Sequence, residues 1–92
     1  MKTESFYFRV SGEVQGVGYR YYCRKTAAQF GLRGWVANMS CGDVEMEVFG
    51  DGVGIESFLN EITRKDSRFN VSEITKKAIA GNDSLKGFSI RE

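Results

Sequence analysis

Apolar and polar positions along the chain change period in an ordered way. Phe6, Phe8 and Val10 alternate with Tyr7, Arg9 and Ser11, the period of a half-buried strand. Tyr19, Cys23, Thr26, Ala27 and Phe30 then recur at helical spacing, which predicts a helix over 19–30 with Gly31 as its C′ residue. Trp35-Val36-Ala37-Asn38 reads as a second strand and residues 39–42 as a hairpin turn. Val44, Met46 and Val48 alternate with Glu45, Glu47 and Phe49 as a third strand, which Gly50-Asp51-Gly52 breaks. Ile55, Phe58, Leu59 and Ile62 follow the i, i+3, i+4, i+7 rule, so 53–65 is an amphipathic helix. A fourth strand runs from Val71 to Ile79, Asn82-Asp83 marks a loop, and Gly87–Arg91 forms a short last strand carrying Phe88 and Ile90. The order β-α-β-β-α-β plus a short C-terminal strand predicts an α+β fold. It is the ferredoxin-like split βαβ sandwich, an antiparallel sheet with two helices on one face.

Composition narrows the chemistry. Ninety-two residues make one domain, 1–92, with a thin core that buries roughly 60–65% of the unfolded surface. A net charge of +1 gives no general affinity for nucleic acid or membrane, so any anion site is local. No apolar run approaches the length of a membrane span and no signal peptide stands at the N-terminus, so the cytoplasm is the expected location. Cys23 and Cys41 are the only cysteines and histidine is absent. Two free thiols are expected, with Cys23 in the core and Cys41 exposed in a turn. Zinc and haem sites are not expected, and the usual general base near neutral pH is missing. Neither cysteine is followed by an arginine six positions on, so the cysteine-phosphatase pattern does not occur.

The most informative segment is Gly12-Glu13-Val14-Gln15-Gly16-Val17-Gly18-Tyr19-Arg20, between the first strand and the first helix. Its glycines let successive N–H groups point into one concavity. A helix start adds unpaired donors and a partial positive charge, and Arg20 adds a planar cationic fork suited to two phosphate oxygens. The same residues also suit a plain glycine turn with a solvated arginine. The segment is neither the G-x-G-x-x-G dinucleotide fingerprint nor a P-loop. Gly34–Asn38 reads either as a strand with a buried tryptophan entering a turn, or as a strand whose terminal amide faces the glycine loop. Lys86-Gly87-Phe88-Ser89-Ile90 has a faint likeness to an RNA-binding RNP1 pattern, but on the last strand where that pattern does not belong. Arg24-Lys25 and Lys76-Lys77 read as solvated faces.

Two of these segments together resemble a known family. Gly12-x-Val14-Gln15-Gly16-Val17-x-Tyr19-Arg20 resembles the first signature of the acylphosphatases, and Gly34-Trp35-Val36-Ala37-Asn38-x-x-x-Gly42-x-Val44-Glu45 the second. The resemblance runs from about Phe6 to Phe88-Ser89-Ile90-Arg91. It implies hydrolysis of an acyl phosphate to a carboxylate and inorganic phosphate, with no metal and no organic cofactor. It implies that Arg20 binds the phosphoryl group, that backbone N–H groups of Gln15, Gly16, Val17, Gly18 and Tyr19 wrap it, and that Asn38 orients the attacking water. The implied partners are a small acyl phosphate, with inorganic phosphate as product and inhibitor. Nucleic acid and membrane are not among them, and a monomer is expected. The alternative is a non-catalytic ferredoxin-like module that binds a phosphorylated ligand or a protein. The chain departs from the family pattern at Tyr19, where phenylalanine is common, and at Cys41, where many relatives carry a polar or charged residue. It also ends in Arg91-Glu92, where many relatives end in an aromatic residue.

Overall fold

The computed structural model describes residues 3–16, 18–65, 68–81 and 84–91. The elements are β1 (Thr3–Glu13), α1 (Tyr19–Gln29), β2 (Arg33–Asn38), β3 (Val44–Asp51), α2 (Gly52–Ile62), β4 (Asn70–Ala78) and β5 (Phe88–Arg91). They form a five-stranded sheet in the order β4-β1-β3-β2-β5. This is the expected ferredoxin-like α+β arrangement.

Alternation along β1 and β3 puts Phe8, Val10, Val44, Met46 and Val48 on one face, where all are buried. Both helices lay their apolar stripes on that face. Tyr19, Cys23 and Ala27 of α1 and Ile55, Phe58 and Ile62 of α2 join the strand residues in one core cluster. The other face is more polar and half-exposed, except that Phe49 is buried there beneath the Arg33 guanidinium. There Tyr7 donates its hydroxyl hydrogen to Glu45 Oε1 at 2.7 Å, and Trp35 Nε1 donates to Glu47 Oε1 at 3.3 Å. Trp35 therefore lies on the open face instead of in the core, with the Arg91 guanidinium 4.5 Å over its ring.

The pairing is antiparallel except at one edge, where β5 runs parallel to β2, with Gly34 opposite Phe88 and Ala37 opposite Arg91. The physical reason is direction. β4 lies at the far edge and runs antiparallel to β1. The segment after it passes along one end of the sheet, where Ile79 N–H donates to Ser5 O and Arg33 Nη1 to Leu85 O. A strand that turns up from that end points the same way as β2.

Helix ends differ slightly from the periodicity. Phe30, spaced as part of the α1 stripe, is the C-cap and is 38% exposed. Gly31 stands at C′ as expected. Its N–H donates to Ala28 O and the N–H of buried Leu32 to Ala27 O, which satisfies the last carbonyls of the helix. α2 stops at Ile62, where Thr63 turns both its N–H and its hydroxyl back to Leu59 O. The predicted loop at Asn82-Asp83 lies outside the described residues.

Candidate active site

Three strands finish at one end of the sheet: β1 at Glu13, β2 at Asn38 and β5 at Arg91. The loop after β1, the first turn of α1 and the hairpin after β2 sit at that same end.

In the loop, Gly16 has φ 74° and Gly18 φ 80°, the left-handed region that favours glycine. Gly18 is the N-cap of α1, and its carbonyl accepts the first helical bond from Tyr22 N–H at 3.0 Å. The N–H groups of Tyr19, Arg20 and Tyr21 thus precede the intrahelical ladder. No acidic residue stands in the first turn of α1 to neutralise its dipole. Val17, expected in the same cradle, lies outside the described residues.

Tyr19 is fully buried and anchors the loop from below. Its hydroxyl donates to Ile62 O at 2.8 Å, and its ring meets Phe69 edge-on with centroids 5.0 Å apart. Tyrosine in place of the more common phenylalanine thus supplies a bond between the head of α1 and the tail of α2. Burial holds its phenol far above the usual range, so the group stays a neutral donor.

Arg20 is half-buried, and its Nη1 donates to Arg91 O at 3.2 Å. Among the described residues no carboxylate pairs with it. Arg91 is the register partner of Ala37, so the Arg20 guanidinium is tethered one strand step from Asn38. Asn38 is exposed at the end of β2, opposite Val44. Among the described residues no group bonds its side-chain amide.

Gln15, whose backbone opens the glycine loop, has a side chain that donates to two carbonyls of the hairpin, Met39 O and Asp43 O, each at 2.8 Å. On the hairpin's other side Arg9 Nε donates to Asp43 Oδ2 at 2.7 Å and Arg9 Nη2 to Cys41 Sγ at 3.4 Å. The Arg9 bond holds the Asp43 carboxyl below its usual range. Alternation placed Arg9 on the outward face of β1, yet periodicity carries no signal for a bond to a residue 34 positions away.

Both cysteines are free. Cys23 is buried with its thiol pushed up to about 12 by burial, and Cys41 is exposed. The site therefore offers an anion backbone donors, a helix start and a permanent cation. Among the described residues no three acidic or cysteine side chains gather as a metal would require.

The architecture is a ferredoxin-like sandwich with an arginine-headed glycine loop at one end. The acylphosphatase family model matches residues 6–90. An acylphosphatase of Clostridium beijerinckii is 40% identical over 82 residues, 89% of this chain and 91% of that protein. One of Clostridium acetobutylicum is 38% identical over 88 residues, 95% of this chain and 96% of that one. The crystal structure of acylphosphatase from Bacillus subtilis superposes with a TM-score of 0.90 at 28% identity, covering 99% of this chain and all of that one. The chain belongs to the acylphosphatase family, enzymes that hydrolyse acyl phosphates. That membership sets aside the non-catalytic binding module.

Proposed function

We propose that the end of the sheet described above is the catalytic site and that Arg20 and Asn38 divide the work. The N–H groups from Gln15 to Tyr19 and the guanidinium of Arg20 hold the phosphoryl group. The Asn38 amide orients a water for attack on phosphorus. The O–P bond to the acyl oxygen breaks, its electron pair leaves with the carboxylate, and both protons of the water end on the phosphate formed. A carboxylate is a good leaving group, so acid catalysis is not needed. A loose phosphoryl-transfer transition state asks mainly for positioning and charge. That suits a chain with no histidine.

The observation that supports this division is the tether of Arg20 to Arg91 O beside the end of β2, while the Asn38 amide has no partner among the described residues. The donor set is neutral or permanently cationic, so the proposed reaction runs without metal or cofactor. The same reading takes the chain as one domain, monomeric and cytoplasmic, with inorganic phosphate as a competitive inhibitor. The test is hydrolysis of benzoyl phosphate with a chelator present, in the wild type, Arg20→Ala and Asn38→Ala. Turnover in the wild type, lost with phosphate inhibition in Arg20→Ala and lost without it in Asn38→Ala, supports the division. Equal behaviour of the two variants overturns it.

A further inference from the structure

The hairpin that follows Asn38 has a mouth closed by Met39 N–H donating to Asp43 O at 2.8 Å, while Gly42 N–H donates to Met39 O at 3.1 Å. Both of those carbonyl oxygens also accept from one nitrogen, Gln15 Nε2, at 2.8 Å each. A primary amide is the neutral side-chain group that carries two donors on one planar nitrogen, so it suits two acceptors held side by side. The bonds cross 24 and 28 positions of sequence.

Asn38 has little else to set its place. Its side chain is exposed, and its backbone is fixed by the register with Val44 and by the residue after it, Met39. Gln15 grips that next residue. Its own backbone meanwhile opens the glycine loop that leads to Arg20. One residue thus touches both halves of the site. Arg9 holds the hairpin's other side through Asp43 and Cys41, so removing the Gln15 amide frees the inner side without releasing the whole turn.

We propose that Gln15 is a positioning residue whose side-chain amide registers Asn38 against the phosphate loop. This rests on the reading of Asn38 as the residue that orients water. A displacement of about 1 Å at a positioned group costs up to roughly 10²-fold in rate, which sets the scale expected here.

The test uses Gln15→Met, which keeps the length and removes both donors, and Gln15→Glu, which points acceptors at two carbonyls. Each is made alone and with Asn38→Ala, and folding is checked by circular dichroism and thermal melting. The expected result for Gln15→Met is a fall of roughly 10–10²-fold in kcat for benzoyl phosphate. Inhibition by inorganic phosphate stays near wild type. In the Asn38→Ala background the same change costs almost nothing, because the two residues act as a unit. Gln15→Glu gives a second readout. Acidification through the carboxyl range, about pH 4–5, restores one donor and raises its kcat relative to wild type at the same pH. A folded Gln15→Met with wild-type kcat overturns the proposal. So does a loss that multiplies undiminished with Asn38→Ala, or a loss confined to phosphate binding. Wild-type turnover in Asn38→Ala would instead overturn the reading of Asn38, and it shows in a variant that keeps Gln15.

Discussion

Arg20, at the head of α1, donates from Nη1 to the backbone carbonyl of Arg91 on β5, across 71 positions of sequence. The bond uses one nitrogen of the guanidinium, and in the proposed site its other donors meet the phosphoryl group. Lysine has three donors on a single atom and cannot keep the tether while presenting a planar fork. Arg20→Ala is expected to lower kcat/KM by on the order of 10³–10⁵-fold, the range for an arginine that stabilises phosphoryl transfer. Arg20→Lys should recover little of it. Steady-state kinetics with benzoyl phosphate, together with the inhibition constant of inorganic phosphate, measure both effects.

Asn38→Ala removes the polar group proposed to orient the water from an exposed strand end. The expected loss is roughly 10²–10³-fold in kcat, with the melting temperature nearly unchanged. Parallel kinetics and thermal melts check this, and a fall in melting temperature that matches the fall in kcat would mark a structural role instead.

Two glycines should behave differently when replaced by alanine. At Gly34, with φ 145°, an added Cβ would lie 1.9 Å from the Glu47 carbonyl oxygen, inside the β2–β3 ladder. Gly34→Ala should cost about 3–5 kcal/mol, in the upper tail of single substitutions. At Gly16 a Cβ meets nothing within 4 Å, so only the left-handed conformation resists. Gly16→Ala should cost about 1–2 kcal/mol and weaken phosphate inhibition. Urea denaturation measures the stability of both.

The thiols should separate cleanly by access. One equivalent of an aromatic disulfide reagent should react with the native protein at Cys41, and the second at Cys23 only after unfolding, since Cys23 is fully buried. Two native equivalents, or none, would contradict the placement of the two residues.

The pH dependence of stability follows from the groups the fold shifts, among them the buried Tyr19 phenol and Tyr22, both raised first by burial. Burial, helped by the bond to Glu45, pushes the Tyr7 phenol up to about 12, and burial pushes the Cys23 thiol up to about 12. Groups raised in the folded state add stability that is complete below their unfolded values, about 8.5 for Cys and 10 for Tyr, and that fades as pH rises toward 12. Asp43 is shifted the other way by Arg9. Its contribution is complete above the ordinary carboxyl value of about 3.9 and is lost as pH falls below it. Stability should therefore be level between about pH 5 and 8, fall on the alkaline side from about pH 9, and fall again below about pH 4. Denaturant midpoints taken across pH test each limb.

How far the chain could be read from its residues depended on the range of each contact. The helix over α1 and its stop at Gly31 were legible because the apolar spacing and the C′ signal are local. The alternation of β1 and β3 was legible because one face is buried. The parallel pairing of β5 was not, since direction depends on where β4 leaves the sheet. Trp35 was placed by its neighbours Glu47 and Arg91, which no single-strand pattern reveals. In the candidate site, the left-handed glycines and the arginine at the helix start were legible because they are a local pattern. The two bonds from Gln15 to the hairpin and the bond from Arg20 to β5 join distant segments, so spacing gave no notice of them.

β1 lies in the interior of the sheet, between β3 and β4, although it comes first in the chain. Residues 3–13 gain no strand partner until residues 44–51 and 70–78 have been brought to them. Chain entropy must be spent on those long closures before the ladder returns anything, which makes such a topology slower to fold than a helical bundle of equal length. The sequence contains no proline, so refolding has no prolyl isomerisation phase of tens of seconds to add to that. Pairing β1 with its distant partners should therefore set the refolding rate, and stopped-flow refolding should resolve it as a single exponential.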